Sequence, residues 1–255
     1  MSSIQSIAVI DETKTIPFAR MTTLCIGATQ NGNKGALAWD KPKVNVFVSD
    51  KKVVGAWNVY FRHSIADINA HALGIHNVDK DGSPQAFISV DRTHRMGFPF
   101  GYIMPGLLAR SAKKVWRVIN TKLIQVILPA TKGTPEKYIR GSLSEVLTHE
   151  IGEMIADPFI TTYITDPITG LAWLVETADL AHAFVYAETV VENGRITRMV
   201  CADQVTPEFF SHTPKGNLSL TGKITQPFFV VPGSYGFRKD ASGHLIAADL
   251  APDKD

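Results

Sequence analysis

The clearest helical spacing in the chain lies between Ser142 and Asp157. Leu143, Val146, Leu147, Ile151, Met154 and Ile155 form one apolar stripe there, the pattern of an amphipathic helix with a core-facing side. Ser142 and Glu145 fit a capping box at its start. Pro158 follows, and the residue before a proline is biased away from helical geometry, so the helix is expected to end near Asp157. A second helical spacing, through Phe18, Met21, Leu24 and Cys25, predicts a helix over 17–29. The turn signal Asn31-Gly32-Asn33 is expected to close it, and Gly32-Asn33-Lys34-Gly35 reads as a turn.

Shorter apolar runs predict strands over 6–10, 44–48, 53–61 and 86–90. Ala66 to Leu73 reads as a short helix or turn, and Asp79 to Pro84 as a loop. Thr93 to Gly106, rich in Gly, Pro and Met, reads as irregular loop. Val115 to Pro129 is apolar but fits strand and helix equally. Ile160 to Leu171 carries turn chemistry at Asp166-Pro167 and Thr169-Gly170, and Val175 to Ala181 is a candidate short helix. Phe184 to Val191 and Ile196 to Cys201 predict two strands joined through Asn193-Gly194, a hairpin signal. From about Asp203 onward the chain is loop-rich, with several prolines. The expectation is one α+β domain, a mixed sheet with a long functional helix and a loop-rich C-terminal third.

Composition excludes more than it assigns. The 255 residues carry 45% hydrophobic and 20% charged residues, as an ordinary globular protein does. A net charge of +2 gives no reason to expect a nucleic-acid or membrane surface. No apolar run approaches a membrane span, and the start shows no basic region followed by a long apolar stretch. Synthesis in the cytoplasm is therefore expected, with the protein remaining there or joining a larger assembly. Cys25 and Cys201 stand far apart in the chain and read as buried thiols.

The chemistry concentrates in the long helix. His149, Glu150, Glu153 and Asp157 fall within nine residues, and His149, Glu153 and Asp157, at i, i+4 and i+8, share one face. Glu150 follows the histidine as in the His-Glu-x-x-His helix of zinc proteases, with Glu153 where the second histidine would stand. Zinc takes three protein ligands and leaves one position for water. The expected ligands are His149, Glu153 and Glu176, the last from Leu174-Val175-Glu176-Thr177-Ala178-Asp179. Asp157 competes as third ligand but lies two turns along the same helix from His149. Glu150 would be the general base, and Asp179 would accept a hydrogen bond from the His149 imidazole. One histidine with two carboxylates acidifies water less than a histidine-rich set, and it suits Mn²⁺ or Ca²⁺ as well as Zn²⁺. The competing reading is a solvated acidic helix face.

His76 reads as a hydrogen-bonded loop histidine, though a loop could turn it toward the site. His182, His212, Tyr163 and Tyr235 are the candidates for stabilising an oxyanion. Asp79-Lys80-Asp81-Gly82-Ser83 lacks the closing glutamate of a calcium loop and reads as a solvated turn.

The segment Thr148-His149-Glu150-Ile151-Gly152-Glu153-Met154-Ile155-Ala156-Asp157-Pro158 resembles the signature of a poorly characterised group of bacterial and phage proteins. That signature reads Ser/Thr-His-Glu-x-x-Glu, about three apolar residues, then Asp-Pro. Ala72-Leu73-Gly74-Ile75-His76 with Pro84 and Ala86 is similar to an upstream segment of the group, with Ile75 in place of a tyrosine. Val175-Glu176-Thr177-Ala178-Asp179 resembles its Glu-x-x-Asp segment, without the usual cysteine and proline. Asp203 to Phe210, Gln226-Pro227-Phe228 and Gly233-Ser234-Tyr235 are similar to its C-terminal pieces. The resemblance runs from about Leu73 to the C-terminal third. The helix motif alone also resembles one in plant Exordium-like proteins, which are secreted. The group is zincin-like by motif, which implies a metal-dependent hydrolase without naming a substrate; the preferred reading is of peptidase type, with a peptide as the candidate substrate. The group's occurrence in phage genomes implies an alternative, a non-enzymatic virion component among other subunits, with a structural or vestigial metal site.

Overall fold

The computed structural model describes residues 4–95, 102–103, 141–240 and 242–248. Strand β1 (Gln5–Asp11) lies between β2 (Val44–Ser49) and β3 (Trp57–Arg62), parallel to both. Strand β3 runs parallel to β5 (Pro84–Ser89), and β4 (Gly74–Val78) closes the edge antiparallel to β5. The result is a five-stranded mixed sheet of order β2-β1-β3-β5-β4, and the fold class is α+β as expected. Ile7, Ala8 and Val9 on β1 are all fully buried, so both faces of the sheet are covered at this strand.

Helix α1 (Phe18–Ala38) packs against β2, and a short helix α2 (Val90–Arg95) follows β5. The long functional helix is α3 (Leu143–Ala156), close to the expected limits. Its Ser142 Oγ accepts from Glu145 N at 3.2 Å, and Glu145 Oε2 accepts from Gly141 N at 2.6 Å. The capping box thus forms with its return bond one residue upstream of the cap. α3 packs on α1, and it touches both the large sheet, through β4 and β5, and strand β10.

The C-terminal half builds two small antiparallel sheets. One has the order β6-β10-β9, from β6 (Tyr102–Ile103), β9 (Val185–Glu192) and β10 (Arg195–Ala202). Asn193 and Gly194 both have positive φ, +49° and +77°, as the tight hairpin turn requires. The other has the order β12-β11-β8-β7, from β7 (Tyr163–Thr165), β8 (Ala172–Leu174), β11 (Gly236–Lys239) and β12 (Leu245–Ala248). Two apolar cores result. The larger joins the five-stranded sheet, α1, α3 and the β9–β10 hairpin, whereas the smaller gathers Trp173, Phe209, Phe210 and their neighbours under the loops.

Several expectations need correction. α1 does not stop at Asn31-Gly32-Asn33 but continues to Ala38. The turn-forming residues there serve packing. Asn31 Nδ2 donates to the Tyr186 hydroxyl at 2.8 Å, and Gln204 Nε2 donates to Asn31 Oδ1 at 2.9 Å. Asn33 exchanges two hydrogen bonds with the backbone of Val44. A Cβ at Gly32 would collide with the Val44 side chain. Tertiary partners therefore override the local turn preference. Val175 to Ala181 forms turns instead of a helix, whereas Ala66 to Leu73 takes the turn, one of its two expected forms. Part of 160–171, expected as loop, pairs as β7 with β8 around the Asp166 turn. The start of the 93–106 segment belongs to α2, and Tyr102–Ile103 form β6. The Val115 to Pro129 run lies outside the described residues.

Cys25 and Cys201 are both buried and free, as expected. Asp79 Oδ1 accepts from the backbone of Asp81 and Ser83, and Lys52 pairs with Asp79, which makes this loop a stapled turn. Among the described residues no helix is long and apolar enough to cross a membrane.

Candidate metal centre

Three pieces of chain meet at the start of the C-terminal half of α3. The helix supplies His149, Glu150 and Glu153. Strand β4 supplies His76, and the turns after β8 supply Glu176 and Asp179. All six are buried, with exposures between 3% and 9%. The solvated-face reading of the helix is thereby excluded.

Glu153 is the hub. Its Oε1 lies 3.2 Å from His149 Nε2, and its Oε2 lies 3.3 Å from His76 Nδ1. Its Oε1 also accepts from the Asp179 backbone N–H at 3.1 Å. His149 Nε2 is 2.9 Å from Asp179 Oδ1, and His76 Nε2 is 3.8 Å from Glu176 Oε2. Glu150 Oε2 approaches His76 Nδ1 at 3.7 Å. Among the described residues, two groups bring ligand atoms within 4.8 Å of one another: His76, Glu153 and Glu176, and His149, Glu150 and Glu153. These buried groups can hold a metal ion.

The expected trio is thus divided. His149 and Glu153 meet, but Glu176 reaches the cluster beside His76. Asp179 also differs from expectation. A carboxylate that orients a metal-binding imidazole contacts the ring nitrogen turned away from the metal. Asp179 and Glu153 instead approach the same nitrogen, Nε2, so Asp179 does not reach the far ring nitrogen, and it belongs to neither group of ligand atoms. Asp157 has no part in the cluster. It caps α3, and its carboxylate accepts from Thr161 N, Thr162 N and Thr162 Oγ1 at 2.7–3.1 Å.

His76 is the functional residue that the sequence reading placed wrongly. It lies on a strand, not a loop, and the residues before it explain how it arrives. A Cβ at Gly74 would overlap the Glu150 carboxylate and the Val146 side chain. Glycine therefore lets β4 approach α3 at this point. Residues 74 and 76 share a face of the strand, so the same approach carries His76 into the cluster. The signal in the sequence was Gly74-x-His76.

The turns holding the two late carboxylates are anchored from below. Val175, Ala178, Leu180 and Ala181 are fully buried. Val205 N donates to Thr177 O at 2.9 Å, and Tyr235 N donates to Asp179 O at 3.2 Å. Ala183 N donates to Ser234 Oγ at 2.8 Å. The loop-rich C-terminal part therefore braces the acidic segment. Of the four oxyanion candidates, His182 and Tyr235 stand near the cluster. The His182 ring lies 5.9 Å from that of His149 and 5.3 Å from that of Tyr235. His212 is committed to Asp166 at 2.7 Å, and Tyr163 lies under Lys239.

Electrostatics follow from burial. Burial opposes a charged ring at His149, but Glu153 and Asp179 outweigh it and raise its pKa well above the usual value. Burial likewise opposes charge at His76, and Glu150 and Glu153 push it up to about 11. Burial raises Glu150. Burial together with the Glu153 charge pushes Glu176 up to about 10 and Asp179 up to about 7. At Glu153 burial is outweighed by His149 and then His76, which hold it well below the ordinary carboxylate range. Without a cation, protons balance this cluster, so a metal must displace them to bind.

The donor set fits a metal on a further test. His76 Nε2, Glu150 Oε2 and Glu176 Oε2 are buried without a hydrogen-bond partner. Each such orphan costs about 1–3 kcal/mol, a cost that a cation coordinated by such an atom would remove. No family model, no curated protein and no solved structure matches the chain. The cleft lined by Ala38, Thr206, Glu208 and Asn217 contains none of the six residues.

Proposed function

We propose that the protein is a metal-dependent hydrolase of peptidase type, with zinc at the buried cluster. The observation that carries this reading is the set of orphaned ligand atoms around Glu153, on His76, Glu150 and Glu176. Glu153, with His149, His76 and Glu176 about it, would hold the cation. When bound, a zinc ion polarises a carbonyl and acidifies a water molecule. Glu150 would be the base that takes up the water's proton, acting from its ionised form. His182, whose ring lies beside that of His149, is the candidate for steadying a developing oxyanion, whereas the Tyr235 hydroxyl is hydrogen-bonded to Asp179. The local resemblance to the bacterial and phage group agrees with this chemistry through the same helix motif.

The test pairs metal analysis with hydrolysis of a peptide library. Wild type should bind metal and cleave. Glu150→Gln should keep the metal and lose about 10²–10⁴-fold in rate. A protein that binds no divalent metal ends this reading.

One observation favours a second reading, a metal held for stability in a particle component. No member of the cluster exceeds 9% exposure, and structural metal sites are closed. Under this reading the metal binds, no peptide is cleaved, and its removal lowers the melting temperature.

A further inference from the structure

Two groups of ligand atoms among the described residues share Glu153, and the sharing has a stoichiometric meaning. One group adds His149 and Glu150, the other His76 and Glu176. His149 Nε2 approaches Glu153 Oε1, whereas His76 Nδ1 approaches Glu153 Oε2. Each group has one imidazole, one carboxylate of its own and the shared carboxylate. Asp179 belongs to neither group; its Oδ1 pairs with His149 Nε2 and its backbone N–H donates to Glu153 Oε1.

We propose that the cluster binds two divalent cations bridged by the Glu153 carboxylate. This rests on the metal-dependent reading above and deepens it.

Three arguments carry the inference. The first is geometric. Ligands on one zinc at about 2.0–2.2 Å stand about 3.3 Å apart at tetrahedral angles. The His149–Glu153 and His76–Glu153 distances of 3.2 and 3.3 Å match that edge on both sides, through different oxygens of one carboxylate. The second is the charge count. Glu150, Glu153, Glu176 and Asp179 bring four negative charges when ionised, and the neutral imidazoles bring none. One divalent cation leaves two charges buried, whereas two cations leave none, and uncompensated buried charge is costly. The third is the position of the orphans. Glu150 Oε2 in one group and Glu176 Oε2 in the other lack any hydrogen-bond partner. A single ion in either group leaves the other group's orphan unserved.

Paired metals about 3.5–4 Å apart form a recurrent hydrolytic arrangement, in which one ion orients the nucleophile and the other the leaving group.

The test is equilibrium dialysis of the full chain against Zn²⁺ with metal quantification, beside electron paramagnetic resonance of the Mn²⁺-loaded protein. Wild type should hold two equivalents, and Mn²⁺ should give the signal of a spin-coupled pair. Glu176→Gln, which keeps shape, should hold one equivalent and give an uncoupled Mn²⁺ signal. One equivalent in wild type with an isolated Mn²⁺ signal overturns the two-cation inference but leaves the hydrolase reading standing. No bound metal overturns both.

Discussion

Two faces of α3 are equally buried and chemically opposite. Leu143, Leu147, Ile151 and Met154 are fully buried among apolar side chains of the larger core. His149, Glu150 and Glu153 are nearly as inaccessible, at 3–9% exposure, yet carry a base and two acids. A neighbouring polar residue sharpens the contrast. Thr148 Oγ1 donates to Ser144 O at 3.0 Å and accepts from Ala202 N at 2.9 Å, so its burial is balanced within the protein. Glu150 Oε2 has no such partner. Burial on the apolar face is its own driving force, whereas burial on the acidic face leaves polar atoms unpaired.

The apolar face should fail first and without reference to metal. Leu147→Ala leaves a cavity in the larger core and should cost about 2–5 kcal/mol. Urea denaturation should show the same loss with chelator or with Zn²⁺ present. A loss that metal abolishes would mean that the two faces are not separable. The acidic face should respond the other way. Zn²⁺ at 100 times its dissociation constant should stabilise the wild type by about 2.7 kcal/mol over the chelated form, and Glu153→Gln should abolish that difference in thermal melts.

Gly74→Ala tests the junction between β4 and the helix. The added methyl group meets Glu150 and Val146, and overpacking of this kind costs about 1–3 kcal/mol. Metal affinity should fall with stability, because His76 moves with the strand. Unchanged affinity would sever Gly74 from the placement of His76.

Two smaller effects lie away from the cluster. Burial opposes the Asp166 charge, but hydrogen bonds from Thr169, His212 and the Ile168 backbone hold its pKa down to about 2. A depressed carboxylate stabilises the fold above its unfolded pKa of about 3.9. That contribution should fade as pH falls from about 4 to 2. Asp166→Asn should flatten this acid limb in melts across that range, and an unchanged limb would remove Asp166 from the account. Burial pushes the Cys25 thiol up to about 12 and raises Cys201 further. Neither should react with a thiol reagent in the native state, and both should react in denaturant.

The sequence was legible where one element decided the outcome. The capping box and apolar stripe placed α3 within a residue or two, and Asn193-Gly194 placed the β9–β10 turn. It was less legible where distant contacts decided. Asn31 and Gly32 carry turn chemistry, but Tyr186, Gln204 and Val44 employ them inside a helix. The site divided the same way. His149, Glu150 and Glu153 follow from helical spacing alone. Glu176 and Asp179 were identified as partners, but their places about Glu153 depend on how the turns after β8 fold. His76 depends on the antiparallel seating of β4 against β5, which no local pattern encodes. Asp157 shares a face with His149 in projection, yet the helix ends there and the following loop claims its carboxylate.

Calorimetric titration of Zn²⁺ into the chelator-stripped full chain is the most direct trial of the buried acidic face. Saturable binding accompanied by proton release to the buffer is the expected result, since the cation must displace the protons that balance the cluster. A titration showing neither uptake nor proton release, from a folded protein, would contradict the account.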